Sequence, residues 1–285
     1  MNIADALDIA EKALAGAGID TARADVEWIA ARALKCRRSD VLARADGSFP
    51  EESMTRFDKM VVRRAGREPL AYIVGSVGFR GLELEVGAGC LVPRPETEIT
   101  AGRAIARARE KVGRATVVDI GSGSGAIALS IAAEVPDARI FATESSAAAR
   151  GWTLRNLART GLRCTLLPGD LLTPLHPALG GGVDVVVSNP PYVSEDEWDL
   201  LEPEVRRYEP REAVVGGPTG YEIIHDISEH ARTWLAHGAW IVLEVAPAQT
   251  SSVCNLLEYL GYSNASVTPD LAGRERVVEA RWLNP

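Results

Sequence analysis

Apolar positions in the first 70 residues recur at helical spacing. In "ADALDIAEKALAGAG", Leu7, Ala10 and Leu14 share one face, and Gly16 and Gly18 end the run. "DTARADVEWIAARALK" predicts a second helix, capped by Asp20 or Thr21, with Ile29, Ala33 and Leu34 on its apolar side. A third opens at Pro50 with acids behind it and closes on arginines and Gly66; its stripe is Met54, Phe57 and Val61. These elements predict a small helical bundle over residues 1–70. Arg63, Arg64 and Arg67 read as a solvated helix end complementing the helix dipole.

The period then changes. Leu82, Leu84 and Val86 alternate with Glu83 and Glu85, and residues 71–87 predict a β-hairpin linking two domains. "RPETEITAGRAIARAREKVG" is a further helix, ending at Gly113. From Thr116 onward the short apolar runs "TVVDI", "RIFAT", "CTLLP", "VDVVVS" and "AWIVLEV" alternate with helical stretches. Continuous apolar strands separated by helices predict an α/β domain over 88–285: a doubly wound, mostly parallel sheet covered on both faces. "SNASVTPD" and "RERVVEARWL" have no helix between them, so they predict an antiparallel hairpin at the sheet edge.

Composition narrows the partners. With 285 residues, 46% hydrophobic and 25% charged, the chain is long enough for one large or two modest globular domains. A formal charge of -8 argues against a protein that lives by neutralising nucleic-acid phosphates. The N-terminus lacks a basic region followed by an apolar core, and no apolar run approaches the roughly 20 residues that span a bilayer. Cys36, Cys90, Cys164 and Cys254 stand singly with no histidine at ligand spacing, which predicts reduced thiols, no metal site and a cytoplasmic location.

"VVDIGSGSGAIALSIA" passes from a buried strand into a helix through Gly121, Ser122, Gly123, Ser124 and Gly125. Such glycines let the backbone turn tightly and approach a ligand, with the N–H groups of the next helix pointing at it. The spacing also satisfies a dinucleotide pattern, and Glu144 ends the next strand where a carboxylate can accept both ribose hydroxyls. The loop alone therefore leaves two ribose-bearing cofactors open, a nicotinamide dinucleotide and S-adenosylmethionine. Asp170, after the third strand, is placed to accept from an adenine amino group or simply to shape a turn.

The fourth strand decides between them. It ends in Asn189-Pro190-Pro191-Tyr192, and two prolines cannot continue a sheet. The side-chain oxygen of Asn189 and the carbonyl of Pro190 can accept the two N–H bonds of a planar amide or base amine. That holds a weakly nucleophilic nitrogen in line with a methyl donor and stabilises charge growing on it. The prolines stiffen this geometry, and Tyr192 offers a ring face to the planar group. No recognisable hydride-acceptor site accompanies it.

These motifs, together with "REPLAYIVGSVGF", "LVPRPETE", "EPREAVVGG", "LEV" followed by Gln249, and "DLAGRERVV", resemble the HemK/PrmC family of S-adenosylmethionine-dependent methyltransferases over nearly the whole chain. The resemblance implies a class I methyltransferase fold and N5-methylation of the glutamine in the Gly-Gly-Gln motif of class I peptide chain release factors. It also implies that the N-terminal helices contact the release factor. By the same resemblance the cofactor loop falls on Gly121 to Gly125, the ribose acid on Glu144, and the adenine contacts on Asp170 and Leu171. The substrate motif falls on Asn189 to Tyr192, with Asn189 also beside the donor methyl. Glu144 stands where the family usually has Asp, and Ala71 where it often has Gln; Arg94 and Glu96 match the family without an assignable role. A monomer acting on neither nucleic acid nor membrane is expected. The alternatives are an adenine-N6 methyltransferase, a glutamine methyltransferase for another protein, and a non-catalytic cofactor-binding protein.

Overall fold

The computed structural model describes residues 1–283, which divide into two units: Met1–Val77 with Glu202–Tyr208, and Gly78–Leu201 with Glu209 onward. The first unit is helical: α1 (Ile3–Gly16), α2 (Ala22–Leu34), α3 (Arg38–Ala43), α4 (Glu51–Ala65) and α5 (Leu70–Val74). Asn2 caps α1 by accepting the Asp5 N–H at 2.7 Å. Leu7, Leu14, Ile29 and Phe57 are buried at its centre, where the Phe49 and Phe57 rings meet at 5.2 Å.

The arginine cluster corrects the reading of a solvated helix end. Arg64 is buried, its Nε 2.6 Å from Asp25 and its Nη1 2.8 Å from Glu204. Arg63 pairs with Glu68, and Arg67 with Glu202 and Glu204. A later helix (Pro203–Tyr208) thus belongs to the first unit although its sequence neighbours belong to the second. Apolar periodicity does not reveal this, because the segment is held by ion pairs and by the Tyr208 hydroxyl donating to the Gly66 carbonyl at 2.8 Å.

The hairpin predicted over 71–87 is shorter. β1 (Ser76–Phe79) and β2 (Leu82–Glu85) form a two-stranded sheet, whereas Leu70–Val74 is helical. Five consecutive apolar residues carry no period, and the punctuation decides: Pro69 precedes the turn, and Gly75 ends it at φ 85°.

The second unit holds α6 (Thr97–Glu110), β3 (Thr116–Ile120), α7 (Ala126–Glu134), β4 (Arg139–Glu144), α8 (Ala147–Thr160), β5 (Thr165–Pro168) and β6 (Val183–Ser188). After β7 (Val193–Ser194), the first-unit helix α9 (Pro203–Tyr208) and β8 (Val215–Gly217) come α10 (Glu222–Ala231), β9 (Leu235–Glu244), α11 (Thr250–Tyr259), β10 (Tyr262–Pro269) and β11 (Glu275–Trp282). Seven strands lie in the order β10-β11-β9-β6-β3-β4-β5, parallel from β9 to β5 and antiparallel where β11 meets β9 and β10. This is the doubly wound sheet with an antiparallel edge hairpin that the apolar runs predict.

Val185, Val186 and Val187 of β6 are fully buried, each contributing about 1.5–3 kcal/mol by burial. The chain winds outward from β3 to β5 and returns on the other side of β3 with β6, so the ends of β3 and β6 flank the switch point where open α/β sheets bind ligands. Among the described residues no helix is long and apolar enough to cross a membrane, and no group of three or more His, Cys, Asp or Glu side chains is arranged to hold a metal.

Candidate active site

The loop from β3 to α7 is bent by three left-handed glycines, Gly121 (φ 70°), Gly123 (φ 58°) and Gly125 (φ 86°). Helix α8 grips two of its carbonyls: the Thr153 hydroxyl donates to Gly123 O at 2.7 Å, and Asn156 Nδ2 to Ser124 O at 2.9 Å. Its amides are mostly spent inside the protein. Gly121 N and Ser122 N donate to Thr143 O, Gly123 N to Glu144 Oε2 at 2.9 Å, and Gly125 N to Ser122 O at 2.7 Å. Ala128 N, in the first turn of α7, donates to the buried Asp119 carboxylate at 3.0 Å. The loop's own amides are thus mostly turned inward, and it offers bare backbone; of the first-turn residues of α7, Ala126 and Ile127 line the cavity over it. A Cβ on Gly121 would meet nothing within 4 Å, and one on Gly123 only Cys90 Sγ at 3.8 Å. Gly125 serves packing, since its Cβ would press Thr153 and Leu129 at 3.1–3.2 Å.

A cavity of about 300 Å³ opens over this loop within the second unit. It brings together Gly121, Ser122, Gly123, Ser124, Glu144, Asp170, Leu171, Asn189, Pro190 and Pro191; Gly125 and Tyr192 do not line it. Of its lining residues, Ser122, Ser124 and Thr143 have buried hydroxyls with no hydrogen-bond partner among the described residues, and neither has Oδ1 of Asp119, which does not line it. Burial pushes the Asp119 carboxyl up to about 7, with the nearby Glu144 charge adding to the effect. Such orphans are costly unless something polar completes them, so their concentration here suits a polar ligand.

Glu144, at the end of β4, is held by its own backbone. Oε2 accepts from Gly123 N at 2.9 Å and Oε1 from Ser146 N at 2.8 Å, which fixes the carboxylate and leaves a lone pair on each oxygen for further donors. Beside it, just past the end of the paired strand β5, Asp170 is exposed, while Leu171 takes a left-handed φ of 45°, a strained conformation for its residue type.

At the end of β6, Asn189 Nδ2 donates to Thr97 Oγ1 at 3.1 Å. The following turn is clamped from behind. Gln249 Nε2 donates to the Tyr192 carbonyl at 3.0 Å, and β7 pairs with β8. A Cβ on Gly216 would lie 2.3 Å from the Pro191 carbonyl oxygen, and one on Gly220 2.3 Å from that of Tyr192, so both positions need glycine for the backbones to approach this closely. The Tyr192 side chain packs against the core, with its hydroxyl 3.5 Å from Arg276 Nη1 and its phenol pushed up to about 12 by burial. It braces the turn instead of presenting a face to the cavity.

"EPREAVVGG", Gln249 and "DLAGRERVV" thus acquire a physical role as the backing of the NPPY turn. Arg94 pairs with the buried Glu209 at 2.5 Å, and Glu96 with Arg274 at 2.7 Å. Sequence reasoning missed Asp119, Thr143 and Thr97. Thr97 lay inside the quoted "LVPRPETE", and the polar residue in an otherwise apolar "TVVDI" was the available signal for Asp119.

A mostly parallel sheet with an antiparallel edge pair, its switch point opening on a glycine-floored cavity, is the class I methyltransferase fold. Two solved structures share it: the 16S rRNA N2 G1207 methyltransferase of T. Thermophilus in complex with AdoMet and guanosine (19% identity, TM-score 0.53, covering 72% of this chain and 49% of that one) and a methyltransferase from Pyrococcus furiosus (18%, 0.51, 72% and 90%). Residues 5–75 match the PrmC N-terminal domain and residues 101–202 the methyltransferase small domain. The chain is 41% identical over 278 residues to the release factor glutamine methyltransferase of Streptomyces coelicolor, covering 97% of this chain and 96% of the relative. With that of Geobacter sulfurreducens it is 36% identical over 275 residues, covering 96% and 95%. The chain belongs to the release factor glutamine methyltransferase family.

Proposed function

We propose that this enzyme transfers the methyl group of S-adenosylmethionine to the side-chain amide nitrogen, N5, of the glutamine in the Gly-Gly-Gln motif of class I peptide chain release factors. The observation that carries this reading is the junction at the end of β6. Asn189 and Pro190 line the same cavity as the glycine loop, and Asn189 has its NH2 engaged by Thr97. Asn189 Oδ1 and the Pro190 carbonyl are then the acceptors for the two N–H bonds of the substrate amide.

S-adenosylmethionine supplies, when bound, a methyl carbon made electrophilic by its sulfonium. The protein's own work is alignment and electrostatics. Two acceptor oxygens fix the direction of the amide nitrogen and become better partners as positive charge grows on it. The turn is rigid because two prolines and the Gln249 clamp leave it little freedom. Glu144 would hold the ribose, Gly121 to Ser124 the amino-acid end, and Asp170 and Leu171 the adenine; the orphaned hydroxyls fit a ligand of that polarity. The first unit is read as the part that contacts the release factor.

The adenine-N6 reading uses the same acceptors. It is disfavoured by the overall acidity of the chain and by the pairing of Arg63, Arg64 and Arg67 with carboxylates of the first unit. Labelled S-adenosylmethionine is offered with a release factor, with its Gly-Gly-Ala variant and with an oligonucleotide. Label is expected in the release factor alone; label in the oligonucleotide and not in the protein would reverse the reading. Glu144→Ala is expected to weaken S-adenosylmethionine binding by about 1–3 kcal/mol through lost charged hydrogen bonds. An unchanged calorimetric Kd would remove Glu144 from the cofactor site.

A further inference from the structure

Asn189 is joined to a chain of polar groups that begins with Thr97, itself on the cavity wall, and runs into the protein. Asn189 Nδ2 donates to Thr97 Oγ1 at 3.1 Å. The Glu244 carboxylate accepts from Thr100 Oγ1 at 2.9 Å; burial pushes its pKa up, and the Thr97 and Thr100 hydroxyls oppose that by favouring its ionised form. All three supporting residues are buried, with Thr97 4%, Thr100 0% and Glu244 1% exposed. Thr97 and Thr100 stand in the first turn of α6, and Glu244 at the last position of β9, so two rigid elements hold the chain.

We infer that Thr97 and Glu244 are positioning residues that fix which way the Asn189 amide faces, and so make its oxygen the group presented to the substrate. This rests on the proposed transfer to a glutamine amide. A hydroxyl has one proton. When Thr97 gives it to Glu244, the Thr97 oxygen can only accept, and the group it accepts from must be the Asn189 NH2. The amide is planar, so Oδ1 is then turned away from Thr97. Turning the amide over would set Oδ1 against Oγ1 with no proton between them, and would present two donors to a substrate nitrogen that is itself a donor. In its ionised form Glu244 takes the Thr97 proton in a hydrogen bond and leaves Oγ1 able only to accept, and its charge then polarises the Thr97 hydroxyl and the Asn189 amide beyond it.

Thr97→Val and Thr97→Ser separate this role from packing. Valine keeps the shape of threonine and loses the hydroxyl, whereas serine keeps the hydroxyl and loses the methyl. To keep Oδ1 on the cavity in the valine variant, the NH2 must be buried unpaired; kcat at saturating release factor is expected to fall roughly tenfold or more. Thr97→Ser is expected to stay within about threefold of the parent, as a retained hydrogen bond implies. The Kd for S-adenosylmethionine, measured by calorimetry, is expected to stay within a few-fold in both variants although Thr97 lines the cavity, which also reports that they are folded.

A readout independent of turnover is the Asn189 side-chain NH2 resonance, assigned by its disappearance in Asn189→Ala. It is expected to exchange slowly with solvent in the parent and in Thr97→Ser, and fast in Thr97→Val. Full kcat in Thr97→Val, or a larger loss in Thr97→Ser than in Thr97→Val, would overturn the inference while leaving the methylation reading in place. Absence of transfer by the parent enzyme would overturn that reading instead.

Discussion

Asn189→Ala is expected to lower kcat for release-factor methylation by roughly 10²–10³-fold while leaving the Kd for S-adenosylmethionine within a few-fold. The magnitude is that of removing one preorganised acceptor aimed at charge that develops only in the transition state. The neighbouring Pro190 carbonyl remains, so one of the two N–H bonds can still be caught, but the nitrogen is free to swing about it. The selectivity for kcat follows from position. On the proposed reading the Asn189 oxygen meets the substrate amide, whereas the residues assigned to the cofactor, Glu144 and the glycine loop, end and follow other strands. Single-turnover rates with prebound cofactor, set beside calorimetric titrations, measure the two quantities separately. Parent-like turnover in the variant would dismiss Asn189 as an acceptor.

The second large effect belongs to the helical unit. Arg64→Ala is expected to destabilise it by about 3–5 kcal/mol, the usual cost of breaking a buried ion pair by removing one partner. Asp25 is 4% exposed and would be left with an uncompensated charge, and Glu204 would lose one of its two arginines. Arg63→Ala serves as the control. Its partner Glu68 reaches a half-exposed guanidinium, so about 0–1 kcal/mol is expected. Hydrogen exchange of the α4 amides in the full-length protein reports the difference without requiring the unit to fold alone. Equal protection in the two variants would mean that the Arg64 network contributes nothing to holding α2, α4 and the 203–208 helix together.

Where burial follows from apolarity, the chain was legible. The valine run of β6 could only be a covered strand, and the alternation of such runs with helices fixed a parallel sheet with its ligand site at the strand ends. NPPY stood out for a related reason: two prolines directly after a buried strand need an explanation other than the sheet, and three of its four residues line the cavity. What escaped was whatever depends on polar groups that meet across long separations. Arg64 reads as a solvated charge until Glu204, far along the chain, is seen beside it. The excursion of residues 202–208 into the helical unit carries no apolar period to announce it.

Side-chain direction was equally silent. A glycine of the loop and the tyrosine of NPPY sit in motifs that point to the cavity, yet Gly125 packs on Thr153 and Leu129, and Tyr192 turns into the core. The inferred Thr97–Glu244 chain joins two motifs almost 150 residues apart, and only the fold brings Thr97 against the Asn189 amide and Thr100 of the same helix against Glu244.

The central claim is that Asn189 Oδ1 and the Pro190 carbonyl together hold the nitrogen that is methylated. The most direct measurement is a crystal structure of the enzyme with the demethylated cofactor and a release factor, or its Gly-Gly-Gln loop. The glutamine Nε2 is expected within about 2.7–3.2 Å of both oxygens, with its remaining face toward the cofactor sulfur. A complex in which the glutamine nitrogen is bound elsewhere, or in which Asn189 offers its NH2 to the cavity, would contradict it.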